Sequence, residues 1–257
     1  MNKTIDFLGI KVNALTKDEL VRKILEFSVI GRHKMITYLN AHCLNIAFKD
    51  EEYKRILNLS DVVYADGIGV VLVSKFLGNP LPERVNIFDF FDLLFREITN
   101  RKLGLYFLGA KEITVRKAVD NLKKKFSSIM VLGFHHGYFQ DIEEREIIDE
   151  INNLKPNILI IGMGVPKQEK WAYYHLNKLE VSLCWMAGGM FENLSGALKN
   201  PPKWISHIGF QWLYRLFQEP KRLWRRYLIG NFIFVYRILK WRLQSHLSKD
   251  HSDSLHN

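Results

Sequence analysis

Several signatures that identify common classes of protein are missing from this 257-residue sequence. Its two cysteines, Cys43 and Cys184, lie in apolar segments without the spacing of zinc ligands, so we expect buried free thiols in a reducing compartment. The sequence contains no HExxH, GxSxG or DxD motif, which disfavours a metalloprotease, an α/β-hydrolase and a metal-bridged diphosphate site. We therefore expect neither a metal ion nor another cofactor.

Long apolar runs are also missing. The longest candidate, residues 228–235, is interrupted by Gly230 and Asn231, whereas a helix that spans a bilayer needs ~18 consecutive apolar residues. The amino terminus lacks a basic stretch followed by an apolar run, so no signal peptide is expected. These features predict a cytoplasmic protein that contacts a membrane, if at all, from one side.

The chain has an excess of positive charge near its carboxyl terminus. The formal net charge is +10, and residues 199–247 hold ten Lys or Arg against one acid, together with four of the six tryptophans. Basic and aromatic side chains occur together on surfaces that meet anionic lipid headgroups, so we predict an anionic membrane partner. A nucleic-acid partner is not expected despite the pI of about 9.5, because apolar residues such as Phe232 and Phe234 interrupt the basic positions.

Apolar runs alternate with helical patterns over the first 196 residues, which predicts an α/β fold with a Rossmann-like, mostly parallel sheet covered by helices. Strands are predicted at residues 35–39, 62–65, 103–108, 129–132, 158–161 and 183–187. Helices are predicted at residues 16–27, 44–57, 88–100, 113–126, 142–154 and 167–176. After the α/β domain at 1–196 we predict a helical, basic and aromatic appendage at 197–243 and a disordered terminal segment at 244–257.

Residues 61–71, DVVYADGIGVV, place Asp66 and two glycines where a buried strand gives way to a helix. A carboxylate at the carboxyl end of a strand, beside glycines that allow close approach, suits a general base that faces a bound substrate. An N-cap of the following helix is an equally good interpretation of the pattern. The residues alone leave both roles open.

Two further glycine-rich turns follow predicted strands. Gly162 and Gly164 precede a helix that begins behind Pro166 with Lys167 in its first turn, an arrangement that can receive a diphosphate. This turn lacks the spacing of a dinucleotide-binding motif or a P-loop. The third turn, AGGMFE at residues 187–192, is weaker evidence, because a tight connection from strand to helix explains it nearly as well.

Arginines of the appendage offer cations for such a diphosphate. Arg222, Arg225 and Arg226 fall at i, i+3 and i+4, which predicts one shared helical face, and Arg215 lies one short segment earlier. Guanidinium groups can bind phosphate through two parallel hydrogen bonds. A solvated or lipid-facing basic surface explains any one of these residues equally well.

Eight motifs occur in order along residues 7–242. They are TYLNA at 37–41, YADGIGVV at 64–71, ERV at 83–85, FLG at 107–109, GYF at 137–139, GMGVPKQE at 162–169, GG at 188–189 and QWLYRL at 211–216. Together they resemble the successive motifs of the WecG/TagA/CpsF glycosyltransferases. The joint occurrence of the ADG and MGxPKQE motifs at the expected separation makes this resemblance specific.

The resemblance implies an inverting, metal-independent transferase. It would move an N-acetylhexosamine, its uronate or a hexose from a UDP-sugar to a polyprenyl-diphosphate-linked saccharide, as a peripheral protein on the inner face of the cell membrane. Whether copies associate into a homo-oligomer stays open. By motif, Asp66 falls at the catalytic base. The residues that would bind the donor or the other substrate are Thr37, Asn40, Arg84, Gly109, Gly164, Lys167, Gln168, Gly188, Gly189, Glu192, Arg215, Arg222 and Arg225.

The sequence departs from the family pattern at four positions. The family's threonine falls on Tyr38, a glycine on Ile87, an aspartate on Glu192 and the arginine of an RAP motif on Asn200. These departures bear on the particular sugar more than on the reaction. Two other functions stay open: a non-catalytic nucleotide-sugar-binding subunit of a polysaccharide assembly complex and, less favoured, a nucleic-acid-binding protein.

Overall fold

The computed structural model of the chain describes residues 3–30, 33–199, 201–202, 205 and 209–253, with side chains described up to Leu243. The strands of this part are β1 (Thr4–Asp6), β2 (Lys11–Asn13), β3 (Lys34–Leu39), β4 (Val62–Ala65), β5 (Leu105–Gly109), β6 (Val131–His135), β7 (Ile158–Gly162) and β8 (Leu183–Met186). β1 and β2 form an antiparallel hairpin, and the other six form a parallel sheet in the order β4-β3-β8-β7-β5-β6. The predicted α/β fold is confirmed.

Helices cover the sheet and form the appendage. Those of the α/β domain are α1 (Lys17–Ile30), α2 (Ala41–Ala47), α3 (Glu51–Leu59), α4 (Ile68–Phe76), α5 (Ile87–Asn100), α6 (Glu112–Lys125), α7 (Asp141–Leu154), α8 (Lys167–His175) and α9 (Met190–Leu194). The appendage contains α10 (Gln211–Gln218), α11 (Pro220–Trp224), a π-helical turn (Arg225–Ile229) and α12 (Gly230–Asp253). Residues 209–253 are called the tail below.

Alternate residues of the central strands point to opposite faces of the sheet, and both faces are apolar. On β5, Leu105 and Phe107 join one hydrophobic core, while Tyr106 and Leu108 join the other. The same alternation occurs on β7 and β8. Because these strands are buried on both sides, their sequences read as continuous apolar runs, and this is the signal that predicts them.

Capping side chains set where several helices begin. Asn40, Asp50 and Asn86 are the N-caps of α2, α3 and α5, and their side-chain oxygens accept hydrogen bonds from backbone N–H groups of the first turn. Before α1, Thr16 and Glu19 each accept a hydrogen bond from the other's backbone N–H. Short polar residues therefore define the entry to these helices.

Two local features differ from the prediction. The single helix predicted at residues 44–57 is instead α2 and α3, because Asp50 caps a new helix. The β1–β2 hairpin is not predicted by the sequence, since each strand is only three residues long. The hairpin lies against β4, where the side chain of Asn13 accepts the backbone N–H of Val63 at 2.8 Å. It thereby covers part of an edge strand.

The tail packs on the domain mainly through α12 and α2. Asn45 of α2 donates from Nδ2 to the carbonyl oxygen of Gly230 at 2.7 Å. Arg237 donates from Nη1 to the carbonyl oxygen and Oδ1 of Asn45 at 3.0 and 2.8 Å. Phe234 and Ile238 on the same side of α12 are buried. The predicted helical appendage is therefore present and docked on the domain.

The far end of the tail differs from the prediction. The backbone of α12 is helical to Asp253, whereas the sequence predicts disorder from residue 244. Residues 240–253 contain no glycine or proline to end the helix, which accounts for the difference. Asn200, Trp204 and residues 254–257 lie outside the described residues. Within the described part, no helix is both long enough and apolar enough to cross a membrane.

Helix α5 offers a matched test of the core. Leu94 is fully buried, whereas its neighbour Leu93 is 48% exposed. We expect Leu94→Ala to lower the free energy of unfolding by about 2–5 kcal/mol because it leaves a cavity. Leu93→Ala serves as the control and changes that free energy by about 0.5 kcal/mol or less. Urea unfolding measures both, and equal losses in the two variants would contradict the described packing.

Candidate active site

The carboxyl ends of parallel strands meet at one edge of a sheet, and this edge brings several predicted site residues together. Asn40 follows β3 and Asp66 follows β4, and the backbone N–H of Asp66 donates to the carbonyl of Leu39 at 2.9 Å. The N-cap of α4 is Gly67, where a Cβ would lie 3.6 Å from the Cβ of Asn40. Asp66 is thus not the cap, and the capping interpretation of its role is wrong.

Asp66 is half-buried among cations. Burial raises the pKa of its carboxyl above the ordinary value, while the charges of Arg215, Arg84 and Arg226 and a hydrogen bond from Asn86 oppose that rise. A carboxylate with a raised pKa is a stronger proton acceptor than an exposed one. The environment of Asp66 therefore suits a general base.

The guanidinium of Arg84 connects the Asp66 side of the sheet to the tail. It donates from Nη2 to Oδ2 of Asp89 at 2.8 Å and from Nη1 to Oε1 of Gln211 at 3.0 Å. Only 12% of its side chain is exposed. Arg84 is thereby held close enough for its charge to act on the carboxyl of Asp66.

The predicted glycines have different surroundings. A Cβ at Gly109 (φ 144°) would lie 2.3 Å from the carbonyl oxygen of Gly162, so glycine allows the ends of β5 and β7 to approach. A Cβ at Gly188 (φ 54°) would lie 2.4 Å from the hydroxyl of Tyr38. At Gly164 (φ 80°), no described residue comes within 4 Å of that position. Gly109 and Gly188 therefore have no room for a side chain, whereas the Cβ position at Gly164 is open among the described residues.

Gly189 and Glu192 meet the tail at Arg215. A Cβ at Gly189 would lie 3.6 Å from Nη2 of Arg215 and 3.7 Å from Oε2 of Glu192. Burial raises the pKa of Glu192, against the charges of Arg222 and Arg215. Within the described residues, its Oε2 is buried without a hydrogen-bond partner. The turn after β8 thus presents backbone beside a guanidinium, which suits a phosphate.

A buried polar cluster lies beneath this edge. Thr37 and Gln168, both predicted to bind substrate, are fully buried together with Glu169. Thr37 Oγ1 and Gln168 Nε2 donate to Oε1 of Glu169 at 3.0 and 2.8 Å. In the structure both side chains therefore form hydrogen bonds within the protein. The residue of β3 whose side chain reaches the turn at Gly188 is Tyr38, through its hydroxyl.

Lys167 lies at the start of α8, as predicted, and contacts the loop after β6. Its Nζ donates to the carbonyl of Gly137 at 2.8 Å and lies 5.2 Å from the ring centre of Phe139. A pocket of about 280 Å³ opens at this loop and is lined by Lys111, Glu112, His136 and Tyr138. The structure therefore places Lys167 beside a concave region at this sheet edge.

Arg222, Arg225 and Arg226 of the tail differ in exposure and in what they contact. Arg222 is exposed and paired with Glu219, and Arg225 is exposed with its guanidinium 5.2 Å from the ring centre of Trp224. Arg226, in the π-helical turn, is less exposed than the other two. Its Nε is buried and has no hydrogen-bond partner among the described residues, while its guanidinium lies 5.5 Å from the ring centre of Tyr227. Arg226 is therefore the arginine of this group that points toward the domain.

Four residues at this edge were not predicted as site residues: Tyr38, His42, Asn86 and Gln211. Burial, followed by the charge of Arg226, lowers the pKa of His42 to about 4, so this imidazole is neutral at neutral pH. Asn86 directly follows the ERV motif and Gln211 opens the QWLYRL motif. Those positions beside motif residues are the sequence signals that could have identified them.

The cysteines take no part in the site. Cys43 and Cys184 are buried free thiols, as predicted. Burial raises the pKa of each to about 12, so neither forms a thiolate nucleophile at neutral pH. Across the described ranges, no group of three or more His, Cys, Asp or Glu side chains is placed to hold a metal ion.

An α/β domain with a carboxylate and guanidinium groups at the ends of its strands is an arrangement suited to glycosyl transfer, and known glycosyltransferases are similar to this chain in sequence. Residues 5–248 match the model of the Glycosyl transferase WecG/TagA/CpsF family. The chain is 31% identical over 240 residues to the N-acetylglucosaminyldiphosphoundecaprenol N-acetyl-beta-D-mannosaminyltransferase of Staphylococcus aureus, with 92% of each chain covered. It is 31% identical over 182 residues to the protein of that name from Bacillus spizizenii, covering 71% of this chain and 70% of the relative. The chain belongs to the WecG/TagA/CpsF family and is a glycosyltransferase.

The buried Glu169 predicts a pH dependence of stability. Burial raises its pKa from the ordinary 4.5 to about 7, so between these values the folded state binds more protons than the unfolded state. Stability due to this group is then highest at low pH and falls as the pH rises. From about pH 5 to about pH 8, we expect wild type to lose about 2–3 kcal/mol more unfolding free energy than Glu169→Gln.

Glutamine at this position keeps an acceptor oxygen for Thr37 and Gln168 but cannot ionise. Urea unfolding of both proteins at the two pH values measures how much unfolding free energy each one loses. The contributions of the other titrating groups cancel when the two losses are subtracted. Parallel pH dependence in the two proteins would show that Glu169 titrates near its ordinary value.

Proposed function

We propose that this glycosyltransferase moves a sugar from a UDP-sugar to a saccharide linked to polyprenyl diphosphate, with Asp66 as the general base. The observation that carries the proposal is the half-buried carboxylate of Asp66 at a strand end, facing the charges of Arg84, Arg215 and Arg226. A base and several cations at one edge are the two requirements for attack by a hydroxyl and departure of a diphosphate.

The proposed reaction is a single displacement. Asp66 takes the proton of the acceptor hydroxyl while the oxygen of that hydroxyl forms a bond to the anomeric carbon of the donor sugar. The bond from that carbon to the UDP oxygen breaks, the electron pair leaves with UDP, and the configuration at the carbon inverts. Arg215, beside the backbone at Gly189, stabilises the charge that develops on the leaving diphosphate.

The relatives support the choice of substrates. Their name describes transfer of an N-acetyl-beta-D-mannosaminyl group to N-acetylglucosaminyldiphosphoundecaprenol. We propose the same class of acceptor for this chain, within cell-surface polysaccharide or teichoic-acid-type biosynthesis. The donor sugar is an N-acetylhexosamine, its uronate or a hexose, and no metal is required.

An exposed apolar surface of the tail supports a peripheral position on the inner face of the cell membrane. Its members are Phe217, Trp224, Leu228, Ile229, Phe232, Val235, Tyr236, Leu239 and Leu243. Exposed cations lie along the same helices at Lys221, Arg222, Arg225 and Lys240. An apolar face bordered by cations is the composition that inserts into the headgroup region of an anionic bilayer. The acceptor's lipid would lie in that bilayer.

Acceptor-dependent release of UDP tests the reaction. With a panel of UDP-sugars and a short-chain prenyl-diphosphate-linked N-acetylglucosamine, we expect one donor to support release that persists in EDTA. Asp66→Asn, which cannot accept the proton, lowers the transfer rate by about 10²–10⁴-fold. Donor binding without turnover across the whole panel would instead favour a non-catalytic nucleotide-sugar-binding subunit.

Vesicle sedimentation tests the membrane face. Phe232 is 80% exposed on α12, and we expect Phe232→Asp to reduce binding to vesicles that contain phosphatidylglycerol, because it removes apolar area and adds negative charge. The matched control is Leu59→Asp. Leu59 ends α3 just before the amino-terminal end of β4 and is 57% exposed. Equal losses in both variants, or stronger binding to DNA than to vesicles, would overturn the proposed membrane contact.

A further inference from the structure

The side chain of Asn86 is held in one orientation by the start of α5. Its Oδ1 accepts the backbone N–H of Phe88 at 3.1 Å, as the N-cap of that helix. With the oxygen fixed in the cap, the amide nitrogen must point the other way. That nitrogen lies 3.2 Å from Oδ1 of Asp66, to which it donates a hydrogen bond.

The tail adds a third contact to the same amide. Nδ2 of Asn86 also lies 3.3 Å from Oε1 of Gln211, the first residue of α10. The same oxygen of Gln211 accepts from Arg84 at 3.0 Å. A primary amide has two N–H donors and one carbonyl acceptor, and at Asn86 the helix cap, the tail and Asp66 engage all of them.

We propose that Asn86 is a positioning residue that orients the carboxylate of Asp66, with the helix cap and Gln211 of the docked tail holding Asn86 in place. The inference rests on the proposed function in taking Asp66 as the base of the transfer reaction. One carboxylate oxygen, Oδ1, is engaged by Asn86, which directs the other toward the acceptor hydroxyl.

The charged and titratable groups that face Asp66 come from several elements. Arg84 lies in the segment before α5, Arg215 on α10 and Arg226 in the π-helical turn, and each lowers the pKa of Asp66. Tyr38 of β3 and Tyr64 of β4 also interact with its charge, but burial raises their pKa values so far that both stay neutral. The hydrogen bond from Asn86 therefore acts on a carboxylate whose other partners keep their charge near neutral pH.

Two substitutions separate the hydrogen bond from the helix cap. Aspartate and serine cap helices about as well as asparagine does, so Asn86→Asp and Asn86→Ser preserve the start of α5. Both remove the N–H that faces Asp66, and aspartate adds a like charge, so both raise the pKa of Asp66. Because the base must be ionised, the acid limb of the rate profile moves to higher pH, by about one unit or more for Asn86→Asp.

The experiment measures kcat for transfer against pH in wild type, both Asn86 variants and Asn153→Asp. Asn153 is exposed on α7, so this control makes the same chemical change away from the site and keeps the wild-type profile. We expect the Asn86 variants to lose on the order of tenfold in kcat, with little change in the KM for the UDP-sugar and in Tm.

A second measurement does not depend on turnover. The carboxyl ¹³C resonance of Asp66, identified by its disappearance in Asp66→Asn, reports its pKa directly in selectively labelled protein. An upward shift in Asn86→Asp supports the inference even if wild type fails to transfer sugar, a failure that would count against the proposed function alone. Unchanged titration of Asp66 and an unchanged rate profile in both Asn86 variants would overturn the inference and leave the proposed function standing.

Discussion

The site depends on how one charge, the carboxylate of Asp66, is kept partly out of water at the end of β4. Burial alone favours its neutral form, and a base must be ionised to accept a proton. The positive charges of Arg84 beside the strand end and of Arg215 and Arg226 in the tail favour the ionised form. Since two of these three cations belong to the tail, the electrostatics of the α/β domain depend on the tail being docked.

Docking uses one face of α12 and leaves another apolar face exposed. On the buried side, Asn45 donates to the carbonyl of Gly230, Arg237 donates to Asn45, and Phe234 is buried. A helix in a soluble protein usually carries one apolar stripe, whereas α12 carries apolar residues on both sides. The second stripe is the one for which we propose a lipid surface, which would bring the acceptor to the side of the protein where the tail lies.

The parts of the structure that could be predicted are those that a local pattern records. The central strands β5, β7 and β8 are apolar on both faces and therefore legible in the sequence, and Asp66 is marked by a strand end followed by glycines. The hairpin is too short to show an alternation. The role of Asn86 depends on a cap, a neighbouring strand and a distant helix at once. The nearness of Arg226 to Asp66 depends on how the tail docks on the domain, which the spacing of the arginines does not reveal.

A structure of the chain with UDP bound would show whether the sheet edge and the docked tail form one site around Asp66. We expect the diphosphate at the turn after β8, against the backbone at Gly189 and the guanidinium of Arg215, with Asp66 facing the position of the donor sugar. UDP bound away from this edge, or bound there with the tail displaced from α2, would contradict it.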